Sequence, residues 1–333
     1  MKHFFSTAFA FFFCMGICQP LAAYEKPLPE EPLLFSESWA YVISGLETEV
    51  SDEALESVTD LCFFSADINC YGEISSIPST KKFSDFKGRK HLVITCEGRS
   101  LSHFVLDQDY GVTKKLIRSI KKASKDFDGV QIDFETIPMR DLNNFRKFLT
   151  KLKKAAGSKK IFSVCVPARN KKISDDIFDY SDISKIADKV FIMAYDQHWS
   201  TSAAGPVADL DWCSRVANYA KTTIPEDKLI LGLPFYGRTW ANTNLAKAWY
   251  NSGINRIINE NKVSNIKRDV FSKILSFKFK TDVEITGYFD DAVSLYEKMK
   301  AYDSLGINKI GFWRLGHEDP DFWKLLKVDQ PYN

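Results

Sequence analysis

Eight short runs of β-branched and aromatic residues, each bounded by Gly, Pro, Asp or Asn, recur along this chain with amphipathic stretches between them. That rhythm restricts the fold more than any other feature. The runs are Trp39–Ser44, Asp60–Ser65, Lys90–Cys96, Gly129–Glu135, Ile161–Pro167, Lys189–Tyr195, Leu229–Phe235 and Lys309–Leu315. The intervening stretches, among them Val112–Lys125, Leu142–Ala156 and Ala208–Thr222, carry Lys and Arg at helical spacing on one face, as solvated outer helices do. Eight strands with helical spacers predict an α/β fold, a (β/α)8 TIM barrel. The rival, an open doubly wound sheet, lacks the glycine-rich phosphate loop expected after its first strand. At 333 residues the chain buries roughly three quarters of its unfolded surface, enough for one large core. The long gap between the seventh and eighth runs, about 238–305, predicts a small insertion over the barrel mouth. It holds a helix-like stretch (Leu245–Asn259) and strand-like passages (Ile274–Phe279 and Val283–Phe289).

Met1–Ala23 reads as a secretory signal: Lys2 and His3, then an apolar run from Phe4 to Cys18, then Leu21-Ala22-Ala23 suited to cleavage. The run is shorter than the roughly 20 apolar residues of a bilayer span, and no later stretch supplies one. The expectation is an exported protein, periplasmic, wall-associated or secreted, with residues 24–333 as its catalytic barrel. Lipid attachment at Cys18 is disfavoured by bulky Ile17 before it. Cleavage removes Lys2 and no acid, leaving a net charge of +1. Lys+Arg 45 against Asp+Glu 43 argues against nucleic acid as the partner. The mature chain would keep Cys62, Cys70, Cys96, Cys165 and Cys213, an odd number without a CxxC pair. Cys62, Cys96 and Cys165 sit in apolar runs and are read as buried thiols in preference to a Cys62–Cys70 disulfide.

The fourth run carries the chemistry. Strand alternation turns Val130, Ile132 and Phe134 toward the helices and Gly129, Gln131, Asp133 and Glu135 into the barrel. Acids at the C-terminal end of a barrel strand lie where such enzymes place catalysis. Two carboxylates at i and i+2 repel, and the repulsion keeps one protonated, as a general acid requires. The alternatives are an ion pair with a neighbouring strand's Lys or Arg, or a pair of metal ligands.

Asp128-Gly129-Val130-Gln131-Ile132-Asp133-Phe134-Glu135 resembles the DGxxxDxE signature of glycoside hydrolase family 18, the chitinase-like hydrolases. Met193-Ala194-Tyr195-Asp196 resembles that family's MxYD motif on the sixth strand. Leu231-Gly232-Leu233-Pro234-Phe235-Tyr236-Gly237 and Gly311-Phe312-Trp313 resemble its seventh and eighth strands. Tyr195–Ser200, Ala204–Ala208 and Asp211-Trp212 look like the bacterial branch acting on spore or cell-wall sugar chains.

The resemblance implies a retaining hydrolase of β-linked N-acetylglucosamine polymers, peptidoglycan or chitin-type, in which the substrate's own 2-acetamido oxygen is the nucleophile. Glu135 would be the acid and then the base, Asp133 would orient the acetamido group, and Tyr195 would bond its oxygen. Gln131, Met193, Asp196, His198, Trp199, Tyr236, Arg238 and Trp313 would form the substrate site, with Trp313 under the sugar. No metal or organic cofactor is implied, and the chain is read as a monomer. A carbohydrate-binding protein on the same fold and an endoglycosidase of protein-linked glycans share these residues. Departures from the family pattern are Gln131 where an Asp is usual, Phe134 where a Trp is usual, and Thr95-Cys96-Glu97-Gly98 on the third strand. Because Gln131 cannot share a proton, Asp133 is expected to stay ionised more readily. His91, His103, His198 and His317 show no metal-ligand spacing. Trp199, Trp212, Tyr236, Trp240 and Trp249 fall near the expected mouth, with Trp212 read as core.

Overall fold

The computed structural model describes residues 27–242 and 244–329. The signal-like segment Met1–Ala23, with Cys14 and Cys18, lies outside the described residues. Eight parallel strands close into a barrel. They are β1 (Glu37–Ile43), β2 (Asp60–Asp67), β3 (Arg89–Thr95), β4 (Gly129–Asp133), β5 (Ile161–Pro167), β6 (Lys189–Met193), β7 (Leu229–Pro234) and β8 (Lys309–Trp313). β8 pairs with both β7 and β1, which completes the ring. All eight expected runs are strands, several of them ending one or two residues early where the chain leaves the ladder for the mouth loops. No helix among the described residues is long and apolar enough to cross a membrane.

The pleat sorts side chains as the alternation requires. Val130, Ile132 and Phe134 of the β4 segment join the outer layer, where Phe134 stacks on Phe145 and Phe148 of the helix Leu142–Ala156. Trp39, Tyr41, Cys62, Val93, Cys165, Phe191 and Ile230 fill the barrel interior. Two inward glycines make room for large neighbours. A Cβ on Gly129 would stand 2.1 Å from His91 Nδ1, and one on Gly311 would stand 2.2 Å from the Phe191 ring. Cys62, Cys96, Cys165 and Cys213 are buried free thiols and Cys70 is an exposed one, so Cys62 and Cys70 are not bonded.

The N-terminal end of the barrel is closed by charge. Asp60 accepts from Arg89 Nε and Nη2, each at 2.7 Å, and lies 2.6 Å from His91 Nε2. Arg89 also reaches Glu37 at 3.0 Å, and Glu37 receives Trp39 Nε1 and Lys189 Nζ. Strands β1, β2, β3 and β6 are thereby tied together at their first residues. Burial by itself would raise the Asp60 pKa, but the hydrogen bonds and charges of His91 and Arg89 outweigh it and hold the carboxyl below its ordinary value.

The insertion occupies Tyr236–Phe289 and not the expected 238–305. It is a five-stranded antiparallel sheet of Asn244–Tyr250, Tyr236–Ala241, Glu284–Phe289, Leu275–Lys280 and Ile266–Arg268, in that order. One face packs Leu275, Phe277 and Phe289 against Ile254 and Ile258 of the helix Asn251–Glu260. The expected helix Leu245–Asn259 is therefore half strand. Trp249 and Tyr250 pair with Gly237 and Tyr236, and sheet pairing overrides the helical spacing up to Asn251. The helix Ala292–Ser304, opened by an Asp291–Ser294 capping box, buries Leu295, Met299 and Tyr302 in the main core and belongs to the barrel.

Replacing Asp60 with Asn should cost about 3 to 5 kcal/mol at neutral pH, because Arg89 and His91 lose their buried counter-charge. The folded pKa is depressed, so this stability is present above the unfolded value of about 4 and is lost as pH falls through the folded value. Chemical denaturation at pH 7 and pH 3 checks it: the gap between the wild type and Asp60→Asn should shrink at the lower pH.

Candidate active site

The C-terminal end of the barrel opens into a cavity of about 580 Å³, within the size range of small-ligand sites. Its floor is aromatic: Trp313 meets Phe64 edge-on at 4.8 Å and Tyr41 at 5.1 Å. From β4, Asp133 and Glu135 rise into it; from the β6 end come Met193, Tyr195 and Asp196; from the insertion come Tyr236, Arg238 and Ala248. Tyr195 packs edge-on against Tyr236 at 6.3 Å.

The three acids on this wall are in different situations. Asp196 has φ 56°, in the left-handed region, and one oxygen accepts from Tyr236 (2.6 Å) and from Arg238 Nη2 (2.6 Å) and Nε (3.1 Å). That pairing commits Asp196 to its neighbours. Asp133 is 7% exposed, faces no cation, and its Oδ1 has no hydrogen-bond partner. Burial first, and then the charge of Glu135, raise its pKa to about 7, against a weaker opposing hydrogen bond from Cys165. Glu135 is open to the cavity; its pKa is raised by desolvation and by the charges of Asp196 and Glu97.

The expectation that Gln131 leaves Asp133 readily ionised is therefore overturned. A neutral neighbour removes one repulsion, but an almost fully buried carboxylate with a thiol as its only donor still favours its proton. Gln131 does not line the cavity either. It is fully buried one layer below, where its Oε1 accepts from Tyr41 at 2.7 Å and its Nε2 has no partner. Tyr41 Oη is also 3.2 Å from Cys165 Sγ. The polar inward row of β4 is thus met by side chains of β1 and β5, not by a Lys or Arg.

Met193, Asp196, Trp199, Tyr236, Arg238 and Trp313 do line the cavity, whereas His198 does not. Its Nδ1 lies 2.8 Å from the Pro206 carbonyl, and its ring covers Gly205, where a Cβ would stand 2.5 Å away. Trp212, read as core, lines the cavity as well as packing on the core. Trp249 donates to Thr239 on the far face of the insertion, and Trp240 lines a separate recess. Tyr41, Phe64, Arg169 and His317 line the cavity without having been singled out. Arg169 is held by Asp176 at 2.7 and 3.1 Å. Burial, and then the charge of Arg314, lower the His317 pKa to about 4, so this ring is neutral. Tyr41 was within reach of the alternation Trp39-Ala40-Tyr41; Arg169 and His317 lie on loops that carry no periodic signal. Outside the cavity, His103 lies between Asp141 (2.8 Å) and Asp107 (3.7 Å) and joins two helical segments as an ion-pair cluster.

Residues 66–318 match the model of the glycosyl hydrolases family 18. The chain belongs to this family. A family 18-like relative, the uncharacterized glycosylase YvbX of Bacillus subtilis, is 26% identical over 225 residues, covering 65% of this chain and 64% of YvbX. A cortical fragment-lytic enzyme of Bacillus anthracis is 24% identical over 290 residues, 81% of this chain and 67% of that protein. The matched stretch spans only 48% of a second B. subtilis relative. Among solved structures, the Bacillus cereus spore cortex-lytic enzyme SleL superposes with a TM-score of 0.80 at 22% identity, over 91% of this chain and 77% of that one. A chitinase from Chromobacterium violaceum gives 0.77 at 22% identity, over 87% and 97%. At these identities the structural likeness is one of fold.

Because the folded pKa of Asp133 is raised, its ionisation opposes folding: stability should fall as pH rises from about 4 to about 7 and then level off. Asp133→Asn removes that term. Its melting temperature should exceed the wild type's at pH 8, and the difference should close toward pH 4; a gap independent of pH would overturn the assignment.

Proposed function

We propose that this chain is an exported glycoside hydrolase that cleaves β-linked N-acetylglucosamine glycans, peptidoglycan or chitin-type, with retention by substrate-assisted catalysis. One observation carries the reading. Of the three acids on the cavity wall, Asp196 is neutralised by Arg238, which leaves Asp133 and Glu135, neighbours on one strand end, and no free carboxylate to serve as an enzymic nucleophile.

The geometry suits the substrate's acetamido group in that role. Asp133, with an unpartnered Oδ1 at the bottom of the cavity, accepts the acetamido N–H and turns the carbonyl oxygen toward the anomeric carbon. Tyr195, its hydroxyl kept protonated by burial, bonds that oxygen. Glu135, its pKa raised, gives its proton to the glycosidic oxygen as the C1–O bond breaks and the acetamido oxygen–C1 bond forms. The resulting cyclic cation is stabilised by Asp133, which ionises as positive charge develops beside it. Glu135, now a carboxylate, takes a proton from water as the water oxygen attacks C1, reopening the ring and returning the acetamido group. Trp313 provides the face on which the distorted sugar stacks. Tyr236, Arg238, Asp196, Met193 and Trp199 form the walls, while Gln131 acts from below, on Tyr41, and His198 supports its own loop. The bacterial relatives named for cortex lysis favour cell-wall glycan.

Turnover of chromogenic N-acetylchitooligosides and of peptidoglycan by the wild type and Glu135→Gln tests this reading. The variant should lose about a hundredfold or more, and the first-formed anomer seen by NMR should be β. Binding by both proteins with no wild-type turnover on any substrate would replace the enzyme with a carbohydrate-binding protein on the same fold; an α anomer would overturn the mechanism.

A further inference from the structure

The insertion sheet has a second use that the reaction cavity does not absorb. In its register Trp240 lies opposite Thr286, and Arg238 opposite Ala248 and Tyr288, so Tyr236, Arg238 and Trp240 share the face turned to the barrel mouth. Tyr236 and Arg238 line the reaction cavity; Trp240, one step further along the strand, lines a different recess of about 490 Å³. The two adjoin along the loop after β6, where Trp199 belongs to the cavity and Ser200 to the recess.

We propose that this recess is a second sugar-binding site, which takes a neutral amido-sugar residue of the same polymer whose cleavage is proposed above and so rests on that reading. Its lining identifies the ligand class. Ser200, Ser202 and Thr286 supply hydroxyls, Asn242 an amide and Glu284 a carboxylate, around an indole. No Lys, Arg or His lines it, which argues against an anion; its single acid is already near Lys278 (3.6 Å) and Lys280 (3.8 Å), which argues against a cation. Hydroxyls and a carboxylate around an aromatic ring match a polyhydroxylated ring. Trp240 is 8% exposed and its Nε1–H has no partner, a donor that a sugar's acetamido carbonyl would satisfy. The site is also preformed: Trp199 Nε1 donates to Thr201 at 2.9 Å, and the Ala246 N–H donates to the Ser200 carbonyl at 3.2 Å, fastening the loop to the sheet. A glycan held there keeps further scissile bonds close to the cavity by raising their effective concentration.

The seven tryptophans each give one indole N–H signal in a proton–nitrogen spectrum. N-acetylchitooligosaccharides titrated into Glu135→Gln protein should move the Trp240 signal, identified by its loss in Trp240→Phe, along a saturation curve distinct from that of Trp313. In otherwise wild-type protein, Trp240→Phe and Glu284→Gln should each lower turnover of long polymer roughly three- to tenfold relative to turnover of a short chromogenic substrate, the size of one lost hydrogen-bonded contact. A moving Trp313 signal beside a static Trp240 signal overturns the second site and leaves the proposed hydrolase intact. A moving Trp240 signal with Trp313 static supports the recess and counts against the reaction cavity. Signals that are all static with every amino sugar overturn both. If Trp240→Phe fails to fold, Glu284→Gln alone decides the polymer-to-short-substrate ratio, and an unchanged ratio rejects the proposal.

Discussion

Closure of the strand ring, where β8 pairs with β7 on one side and β1 on the other, is the constraint from which the other features follow. In a closed parallel barrel every side chain on a strand is assigned either to the interior or to the helix layer, with no edge left over. The interior is narrow, so Phe191 and His91 fit only because Gly311 and Gly129 stand opposite them. Polar side chains in that interior have a short choice of partners, all supplied by neighbouring strands.

The two ends of the barrel solve this problem in opposite ways. At the N-terminal end Asp60 is matched by Arg89 and His91 and stays ionised. At the C-terminal end Asp133 has no cation and an unfilled oxygen, and it is pushed toward its protonated form. A carboxyl in the first state fastens strands together; one in the second is poised to change charge when a ligand arrives. This follows the general division in such barrels between a stability face and a reactive face.

Much of this was legible in the amino acids. The eight strands were visible because β-branched runs and bounding turn residues are local signals, and the inward row Gly129, Gln131, Asp133 followed from pleat alternation alone. The family motifs, at the ends of β4, β6, β7 and β8, named most of the cavity wall. What was hidden depended on partners distant in sequence. The pKa of Asp133 is set by burial among β1 and β5 neighbours, and Gln131 lies a layer below the cavity because Tyr41 occupies its amide oxygen. Trp249 looked helical until its pairing with Gly237 made it strand. His198 carried the appearance of a contact residue, but its ring nitrogen is spent on Pro206 within its own loop.

The insertion sheet has one face that folds and one that faces the mouth. Phe277, Phe289 and Gly287 build the first with the helix Asn251–Glu260, while Arg238, Trp240 and Thr286, at intervening positions of the same strands, form the second. Two texts are thus interleaved letter by letter in a single stretch of chain. Drift in one set of letters threatens the scaffold, whereas drift in the other merely rewrites what the wall recognises. A lineage of such proteins can therefore exchange one glycan for another by editing alternate residues, without renegotiating how the chain folds.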